Sequence, residues 1–256
     1  MSNILLVENS LDAIIPEPWC ELNFNTDYEL LIAVVLSAQT TDKRVNQVTD
    51  VLFNKYPDLK SLSLAPLDDL EKILRPLGSY KKKSIYVKKI AEILVNEYGC
   101  KVPVQRSILE SFPGVGRKTV SVFLSEYYGY PEFAVDTHVE RVSKRLKLVN
   151  EKDNVIDIEK KLKKKFKKEE WAKRHKQMVL FGRYYCKAVS PLCDECLLRD
   201  ICKKNKVWFS YFIFLLIYNF YCCIICNCTL YSFYNSVCSC TCCWWKFTWV
   251  RYIRIF

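Results

Sequence analysis

The sequence lacks the features of an exported protein. Its first nineteen residues, MSNILLVENSLDAIIPEPW, contain neither the basic start nor the long apolar core of a secretory signal. This absence predicts a cytoplasmic protein, in which thiols stay reduced. Clustered cysteines in such a compartment indicate metal binding and argue against disulfides.

Residues 1–206 also lack the sustained alternation of apolar and polar residues that marks β-strands. Apolar residues recur there at helical spacing, separated by short connections such as Tyr56-Pro57-Asp58. A chain of 256 residues is long enough for one large domain or two small ones with proper cores. The sequence therefore predicts an all-α protein.

Charge disappears near the end of the chain. Residues 208–245 contain no charged side chain, and residues 207–256 contain no Asp or Glu. Residues 208–226 are long enough to span a bilayer, but Ser210, Asn219 and many tyrosines make them a poor span. Three interpretations stay open for this hydrophobic, Cys-rich tail: a frameshifted or read-through product, a membrane anchor, or folded structure. Its late cysteines are interpreted as accidental: Cys238, Cys240, Cys242 and Cys243.

The formal net charge of +11 favours a polyanionic partner, either nucleic acid or an anionic membrane face. Charge alone leaves open an ordinary basic protein with no such partner. The Lys-rich run from Lys160 to Lys176 is interpreted as a solvated helix face.

The stretch from Ile108 to Thr119 predicts a helix, a tight turn and a second helix. Pro113 prevents simple continuation of the first helix, which we expect to end near Ser111 or Phe112. The glycines that follow permit a tight turn and close approach of another molecule, and a helix N-terminus suits a phosphate. This is the logic of a helix-hairpin-helix, which holds DNA backbone without reading bases. The expected DNA contacts are Gly114, Val115, Gly116, Arg117 and Thr119.

Two side chains near this hairpin are candidates for catalysis. Lys118 lies in the first turn of the second helix, where the dipole and Arg117 disfavour an ammonium and favour a nucleophilic amine. The alternative is an ordinary lysine that contacts phosphate. Asp136 precedes another predicted helix, where it is either an N-cap, a carboxylate held in a cleft, or both.

These segments resemble the helix-hairpin-helix glycosylases, and the lysine resembles that of the endonuclease III family, over approximately residues 1–206. The resemblance implies that Lys118 is the nucleophile and Asp136 the catalytic acid group. Ser37-Ala-Gln-Thr-Thr-Asp42 is similar to the family segment whose glutamine, here Gln39, fills the gap left by a flipped base. Glu110 is similar to a pocket glutamate, and His138 to a residue of the DNA-facing cleft. Ser79 departs from the apolar wedge of the family, so wedging by this chain is expected to be weak.

Cys186, Cys193, Cys196 and Cys202 are separated by six, two and five residues, with no histidine among them. Four thiolates suit zinc or an iron–sulfur cluster, and the spacing alone leaves both open. The resemblance implies a [4Fe-4S] cluster. It also implies that Lys187, between the first two cysteines, contacts DNA phosphate.

The resemblance further implies two helical lobes around a DNA cleft: a six-helix barrel at 21–130, and a cluster domain formed by 1–20 and 131–206. The implied activity is that of a bifunctional DNA glycosylase and abasic-site lyase, acting as a monomer on oxidised pyrimidines in double-stranded DNA, with strand cleavage 3′ to the abasic site by β-elimination. In a bacterium the protein would be nucleoid-associated. A membrane contact is expected only if the 207–256 tail is genuine.

Two alternatives stay open. A monofunctional mismatch or adenine glycosylase uses the same scaffold and cluster, but Lys118 argues against it, and so does the lack of a further recognition domain. A non-catalytic DNA-binding module would keep the hairpin and cluster as structure. The co-occurrence of Lys118, Asp136 and Gln39 argues against that module.

Overall fold

The structure is a computed structural model that describes residues 3–204. This part of the chain folds into eleven α-helices and one short 3-10 helix at Lys168–Glu170, without a strand. The α-helices are α1 (Asn3–Ile14), α2 (Asp27–Leu36), α3 (Asp42–Lys55), α4 (Leu59–Ser63), α5 (Leu67–Leu74), α6 (Tyr80–Glu97), α7 (Arg106–Leu109), α8 (Arg117–Tyr128), α9 (Thr137–Arg145), α10 (Val155–Lys165) and α11 (Trp171–Tyr184). The all-α prediction is confirmed.

Local sequence explains where several of these helices begin and end. The Thr26 side chain accepts from the Glu29 backbone, and Glu29 caps Thr26 in return, which starts α2 with a capping box. Asn154 caps α10 through its side-chain oxygen. Gly129 ends α8 with a φ of +68°, a left-handed conformation that glycine adopts without a steric penalty.

The first hydrophobic core is built around α2. Residues 28–36 of this helix are all buried, so other helices must cover it on every side. Helices α3, α6 and α8 pack against it, and the buried cluster extends from Leu22 to Leu124. One end of α2 leads directly into the segment that carries Gln39.

A second core joins the two ends of the described chain. Its buried residues come from Val7 to Ile15 and from Phe133 to Leu198, because α11 packs against both α1 and α9. The two cores divide their residues in the way expected for lobes at 21–130 and at 1–20 with 131–206. Residues 1–202 nevertheless form one compact unit, so the division into two domains stays a proposal.

The Lys-rich run is less solvated than expected. Lys163 lies 2.9 Å from Glu159 and 3.4 Å from Glu132, and its side chain is only 24% exposed. Lys176 lies 2.7 Å from Glu126 and is 20% exposed. For these two lysines the prediction of a solvated face was wrong, because Glu159 of the same helix and Glu132 of the α8–α9 connection pack against Lys163, and Glu126 of α8 packs against Lys176.

Between residues 3 and 204, no helix combines the length and apolar character that crossing a bilayer requires. The three interpretations of the 207–256 tail, and those of its cysteines, concern residues outside the described part.

Candidate active site

A cavity of about 300 Å³ opens between residues of the two cores. Four of the residues singled out in the sequence line it: Gln39, Lys118, Thr119 and Asp136. They come from the segment after α2, the first turn of α8 and the start of α9. The remaining lining residues are Trp19, Cys20, Glu21, Leu22, Val34, Ser37, Ala38, Asp42, Val122, Glu126, His175, Lys176, Val179, Leu180 and Arg183. The fold thus gathers candidate groups that are up to about a hundred residues apart in sequence.

Lys118 is placed by the predicted hairpin. Helix α7 ends at Leu109, slightly before the expected Ser111 or Phe112, because Glu110 already caps it. Helix α8 begins one residue before Lys118, whose side chain is exposed. An exposed amine in the first helical turn, at the edge of a cavity, can reach a bound molecule.

The turn between these helices depends on one glycine more than on the other. Gly114 has a φ of +75°, and an added Cβ would overlap the Tyr86 ring, with Cε2 at 2.9 Å. Gly116 has a φ of −103°, and nothing lies within 4 Å of an added Cβ. Val115 is buried, so its side chain packs inward and only its backbone is free for a ligand. Gly116 is therefore not required by the fold itself.

Asp136 caps α9, because its Oδ1 accepts from the Val139 amide at 2.7 Å. The same side chain lines the cavity. Capping fixes the carboxylate in one orientation, and a fixed charge is what electrostatic stabilisation of a reacting centre requires. The N-cap and the cavity roles that the sequence left open are thus compatible in the structure.

His175 was not singled out in the sequence, although the chain has only two histidines. Its ring is buried in α11, lies edge-on to Phe133 with centroids 6.0 Å apart, and lines the cavity. Burial lowers the pKa of His175 to about 4, while Asp136 opposes the shift and Lys118 reinforces it. His175 is therefore a neutral ring that feels the charges of both candidate catalytic residues.

Three further polar residues line the cavity: Glu126, Lys176 and Cys20. Glu126 lies on α8 below Lys118, and Lys176 of α11 is 2.7 Å from it. Burial raises the pKa of Glu126, and Lys176 opposes that shift. Burial, assisted by the Glu126 charge, raises the pKa of the Cys20 thiol to about 12. This thiol is a neutral wall group, not a nucleophile at neutral pH.

Arg183 connects three chain segments beside the cavity. Its Nη1 donates to both Glu21 and Asp42, and the Tyr184 hydroxyl also donates to Glu21. Burial lowers the pKa of Arg183, but the Asp42 and Glu21 carboxylates raise it by more, so the net shift is upward. The ion pairs fix the end of α11 against the start of α3, where Asp42 is the first residue.

Two backbone positions beside the candidate DNA-facing surface are unusual. Gln39 has a φ of +56° and Ser79 a φ of +55°, and neither is glycine. Left-handed conformations of ordinary residues cost roughly 1–2 kcal/mol and concentrate at functional sites. Both positions are ones for which the sequence resemblance implied contact with a distorted duplex.

Several predicted residues lie outside the cavity lining. Glu110 is exposed and paired with Arg106 at 3.1 Å, and it does not line the cavity. Arg117 is paired with Glu159 at 2.9 Å, and His138 contacts Arg141 at 3.2 Å. The pocket role of Glu110 and the DNA contacts of Arg117, His138 and exposed Lys187 stay predictions.

The four cysteines of residues 186–202 gather against the second core. Burial raises the pKa of Cys196, and the nearby Cys186, Cys202 and Cys193 raise it further, so the four sulfurs share one site. Across residues 3–204, no three His, Cys, Asp or Glu side chains are grouped closely enough to hold a single metal ion. Four thiolates at one site are the donor set of a [4Fe-4S] cluster, and they are also that of a tetrahedral zinc site, so their chemistry fits the cluster without excluding zinc.

Two arginine side chains of α9 contact the start of the cysteine-bearing segment, residues 186–202. Arg145 Nη1 donates to the Lys187 carbonyl at 2.7 Å and lies 3.2 Å from Cys186 Sγ. Arg141 Nε donates to the Cys186 carbonyl at 3.1 Å. Since Asp136 is the N-cap of α9, the same helix positions the candidate carboxylate and the first cysteine.

The sequence matches the family model of HhH-GPD superfamily base excision DNA repair proteins over residues 32–168. Residues 186–202 match the model of the iron-sulfur binding domain of endonuclease III. The chain is 43% identical over 209 residues to endonuclease III of Bacillus subtilis, covering 80% of this chain and 95% of that protein. It is 39% identical over 193 residues to endonuclease III of Escherichia coli strain K12, covering 75% and 91%.

Solved structures give the same relationship. A trapped endonuclease III–DNA covalent intermediate aligns with a TM-score of 0.76 and 43% identity, covering 82% of this chain and 100% of that chain. A non-covalent endonuclease III–DNA complex aligns with a TM-score of 0.77 and 42% identity, covering 82% and 99%.

Proposed function

The chain belongs to the endonuclease III family of base excision repair DNA glycosylases, and on that premise we propose that it is bifunctional. It removes oxidised pyrimidines from double-stranded DNA and then cleaves the strand 3′ to the abasic site by β-elimination. The observation that carries the proposal is the placement of Lys118 and Asp136 on one cavity. The covalent DNA intermediate of the similar solved structure supports it, because such an intermediate requires a nucleophile on the protein.

Lys118 is the nucleophile in this scheme. Its uncharged amine attacks C1′ of the deoxyribose, and the glycosidic bond breaks, so that the base leaves with the bonding electron pair and takes up a proton. The Asp136 carboxylate stabilises the positive charge that develops at the sugar. The surplus amine proton passes to O4′ as the C1′–O4′ bond opens, which leaves a 4′-hydroxyl and an iminium between Lys118 and the sugar.

Strand cleavage follows from the iminium. Its positive charge acidifies the C2′ proton, and loss of that proton expels the 3′ phosphate by breaking the C3′–O bond. Water then hydrolyses the imine and restores the Lys118 amine. Neutral His175, buried beside both groups, keeps that side of the cavity free of an additional positive charge.

Binding of the duplex is assigned to the surfaces around the cavity. The turn formed by Gly114, Val115 and Gly116, with Arg117 and Thr119 at the start of α8, contacts backbone phosphates. Gln39 occupies the gap left by the extruded nucleotide. His138 and Lys187 are proposed as outer DNA contacts, and Glu110 as a pocket residue that must leave Arg106 to act there. The protein is proposed to work as a monomer, which sedimentation of the free protein and of its DNA complex would test.

The family assignment includes a [4Fe-4S] cluster, and we propose that Cys186, Cys193, Cys196 and Cys202 would hold it. The bound cluster supplies a rigid crosslink within residues 186–202 and takes no part in the sugar chemistry proposed here. Arg141 and Arg145 hold the backbone of this segment against α9 whether or not Lys187 contacts DNA.

Borohydride trapping on a duplex with one abasic site tests the proposal. Wild-type protein should give a covalent adduct, because borohydride reduces the iminium, and Lys118→Ala should give none while still binding the duplex. Asp136→Asn is the second variant, since its side-chain oxygen can still cap α9. We expect Asp136→Asn to remain folded and to lose most base removal.

Two other outcomes identify the rivals. Base release by wild-type protein without an adduct or strand break would indicate a monofunctional mismatch or adenine glycosylase. Tight duplex binding with neither base release nor adduct would indicate a non-catalytic module. Oxidised pyrimidine, mismatched and adenine-containing duplexes compared in parallel establish the substrate class.

A further inference from the structure

A buried lysine holds the segment that carries Gln39. Lys83 lies in α6 and is 5% exposed. Its Nζ donates to the carbonyls of Leu36 and Ala38, both at 2.9 Å, and contacts Thr40 Oγ1 at 3.1 Å. An ammonium has three protons, so all three are used. No carboxylate within residues 3–204 forms an ion pair with it.

The three acceptors bracket Gln39, the residue with the left-handed backbone. Besides Lys83, the segment is held by Thr40 N donating to the Ser37 carbonyl at 3.0 Å and by Ser37 Oγ donating to the Val34 carbonyl at 2.8 Å. Two of these acceptors, the Leu36 and Ala38 carbonyls, precede Gln39, and the third, the Thr40 hydroxyl, follows it, so one cation holds the chain on both sides of the left-handed residue through charge-assisted hydrogen bonds. The side chain of Gln39 is exposed and plays no part in it.

The same lysine contacts the second unusual position through its backbone. The Lys83 amide donates to the Ser79 carbonyl at 3.1 Å, as the first hydrogen bond of α6. Ser79 precedes that helix, has a φ of +55°, and makes no side-chain cap. One residue therefore contacts both the segment that carries Gln39 and the backbone of Ser79.

A simpler explanation is that Lys83 only neutralises the C-terminus of α2, a favourable place for a cation. The Leu36 carbonyl alone would satisfy that role. The contacts with Ala38 and Thr40 lie beyond the helix and fix the turn itself, which the simpler explanation does not require. Burying an ammonium without a carboxylate partner is unfavourable, and this burial lowers the pKa of Lys83. A role limited to the end of α2 would not require such burial.

We propose that Lys83 is a positioning residue that fixes the Gln39 segment relative to Ser79, so that both enter the duplex together when a nucleotide is extruded. The inference rests on the proposed function, which makes Gln39 the gap-filling residue. Lys83 touches neither the substrate nor the reacting atoms. It acts on the geometry of extrusion and leaves the Lys118 chemistry unchanged.

The test compares two substrates. On a duplex, Lys83→Met should slow single-turnover base removal by about ten- to a hundredfold, since small misplacement of a positioning group has effects of this size. On a single-stranded oligonucleotide with an abasic site there is no helix to distort, and the rate of borohydride trapping should stay within about twofold of wild type. A duplex with 2-aminopurine beside the lesion should show a smaller fluorescence increase on binding.

Lys88→Met is the matched control. Lys88 also lies in α6, and its Nζ also donates to a backbone carbonyl, that of Ala65 at 2.9 Å, away from the Gln39 segment. It should leave both rates near the wild-type values. Thr40→Val is a milder variant that removes only one acceptor of Lys83, and it should reproduce the duplex defect in part if Lys83→Met does not fold.

A double-mutant cycle between Lys83→Met and Gln39→Ala completes the experiment. If Lys83 acts through Gln39, the double variant should be no slower on the duplex than Gln39→Ala alone. Additive losses, equal losses on both substrates, or a wild-type rate for Thr40→Val and Lys83→Met would overturn the inference. Absence of an adduct with wild-type protein would instead refute the lyase proposal, so the two failures are distinguishable.

Discussion

The hairpin turn at Gly114 and the turn at Gln39 each contain a residue with a left-handed backbone, but the two turns are held in different ways. At Gly114 the left-handed conformation comes from a residue without a side chain, packed against the Tyr86 ring. At Gln39 an ordinary residue adopts the same region of backbone space, held by an ammonium 44 positions later in the chain. The first conformation needs only the missing side chain of Gly114, although Tyr86 of α6 packs against it, whereas the second depends on the packing of α6 against α2.

The difference has a functional reason. A turn that only approaches phosphate needs backbone, so glycine suffices. A turn that inserts a side chain into a duplex needs both the side chain and the strained backbone, and that combination requires support from elsewhere in the fold.

Gly114→Ala should cause the largest loss of stability. The new Cβ overlaps the Tyr86 ring and requires a φ of +75°, which together should cost about 2–4 kcal/mol in the free energy of unfolding. Gly129→Ala is the control, because its φ is +68° but nothing lies within 4 Å of its added Cβ. It should cost only about 1 kcal/mol. Equal losses in urea unfolding would show that Tyr86 contributes nothing.

His175 is buried by contacts between distant parts of the chain, and we expect it to make the stability of the folded protein depend on pH. Its pKa is lowered to about 4, so between pH 6.5 and 4 the unfolded chain binds a proton that the folded protein does not. The stability that this residue contributes is therefore complete above about pH 6.5 and is lost as the pH falls toward 4.

The groups facing this ring are Asp136, Lys118 and Lys176, and Glu126, whose pKa is raised by burial, lies on the same cavity. The measurement is thus the difference between wild type and His175→Gln in unfolding free energy across this pH range. The difference should narrow as the pH falls. A difference that is constant with pH would contradict a neutral buried ring.

Gln39→Gly and Gln39→Ala should separate stability from activity. Glycine removes the cost of the left-handed backbone, so Gln39→Gly should be about 1 kcal/mol more stable than Gln39→Ala. Both variants lose the gap-filling side chain, and both should lose base removal on duplex DNA to the same extent. If Gln39→Gly retained wild-type base removal, backbone flexibility and not the side chain would be the functional property.

Gly116→Ala should have the smallest effect on stability, within about 0.5 kcal/mol, because its φ is −103° and its added Cβ meets no neighbour. If DNA phosphate approaches this backbone, the methyl group should still weaken duplex binding. Parallel thermal unfolding and DNA titration distinguish these two quantities. A large loss of stability would mean that the turn is less open than the structure indicates.

The sequence by itself determined the features whose causes are local. The helical spacing predicted the all-α class, Gly114 predicted a tight turn before α8, and Asp136 predicted the start of α9. The spacing of the four cysteines was compatible with zinc or a cluster, and the resemblance to a family chose between them. These features depend on residues within one or two helical turns of one another.

Only the tertiary structure decided which distant groups meet. Lys83 contacts a carbonyl 47 residues away, Arg183 connects segments 162 and 141 residues away, and His175 is buried behind Lys118 and Asp136. Nothing near these residues in sequence distinguishes them from ordinary basic residues of a helix. Their roles arise because packing of the two cores removes them from water and leaves a few specific acceptors, and that packing depends on the whole chain.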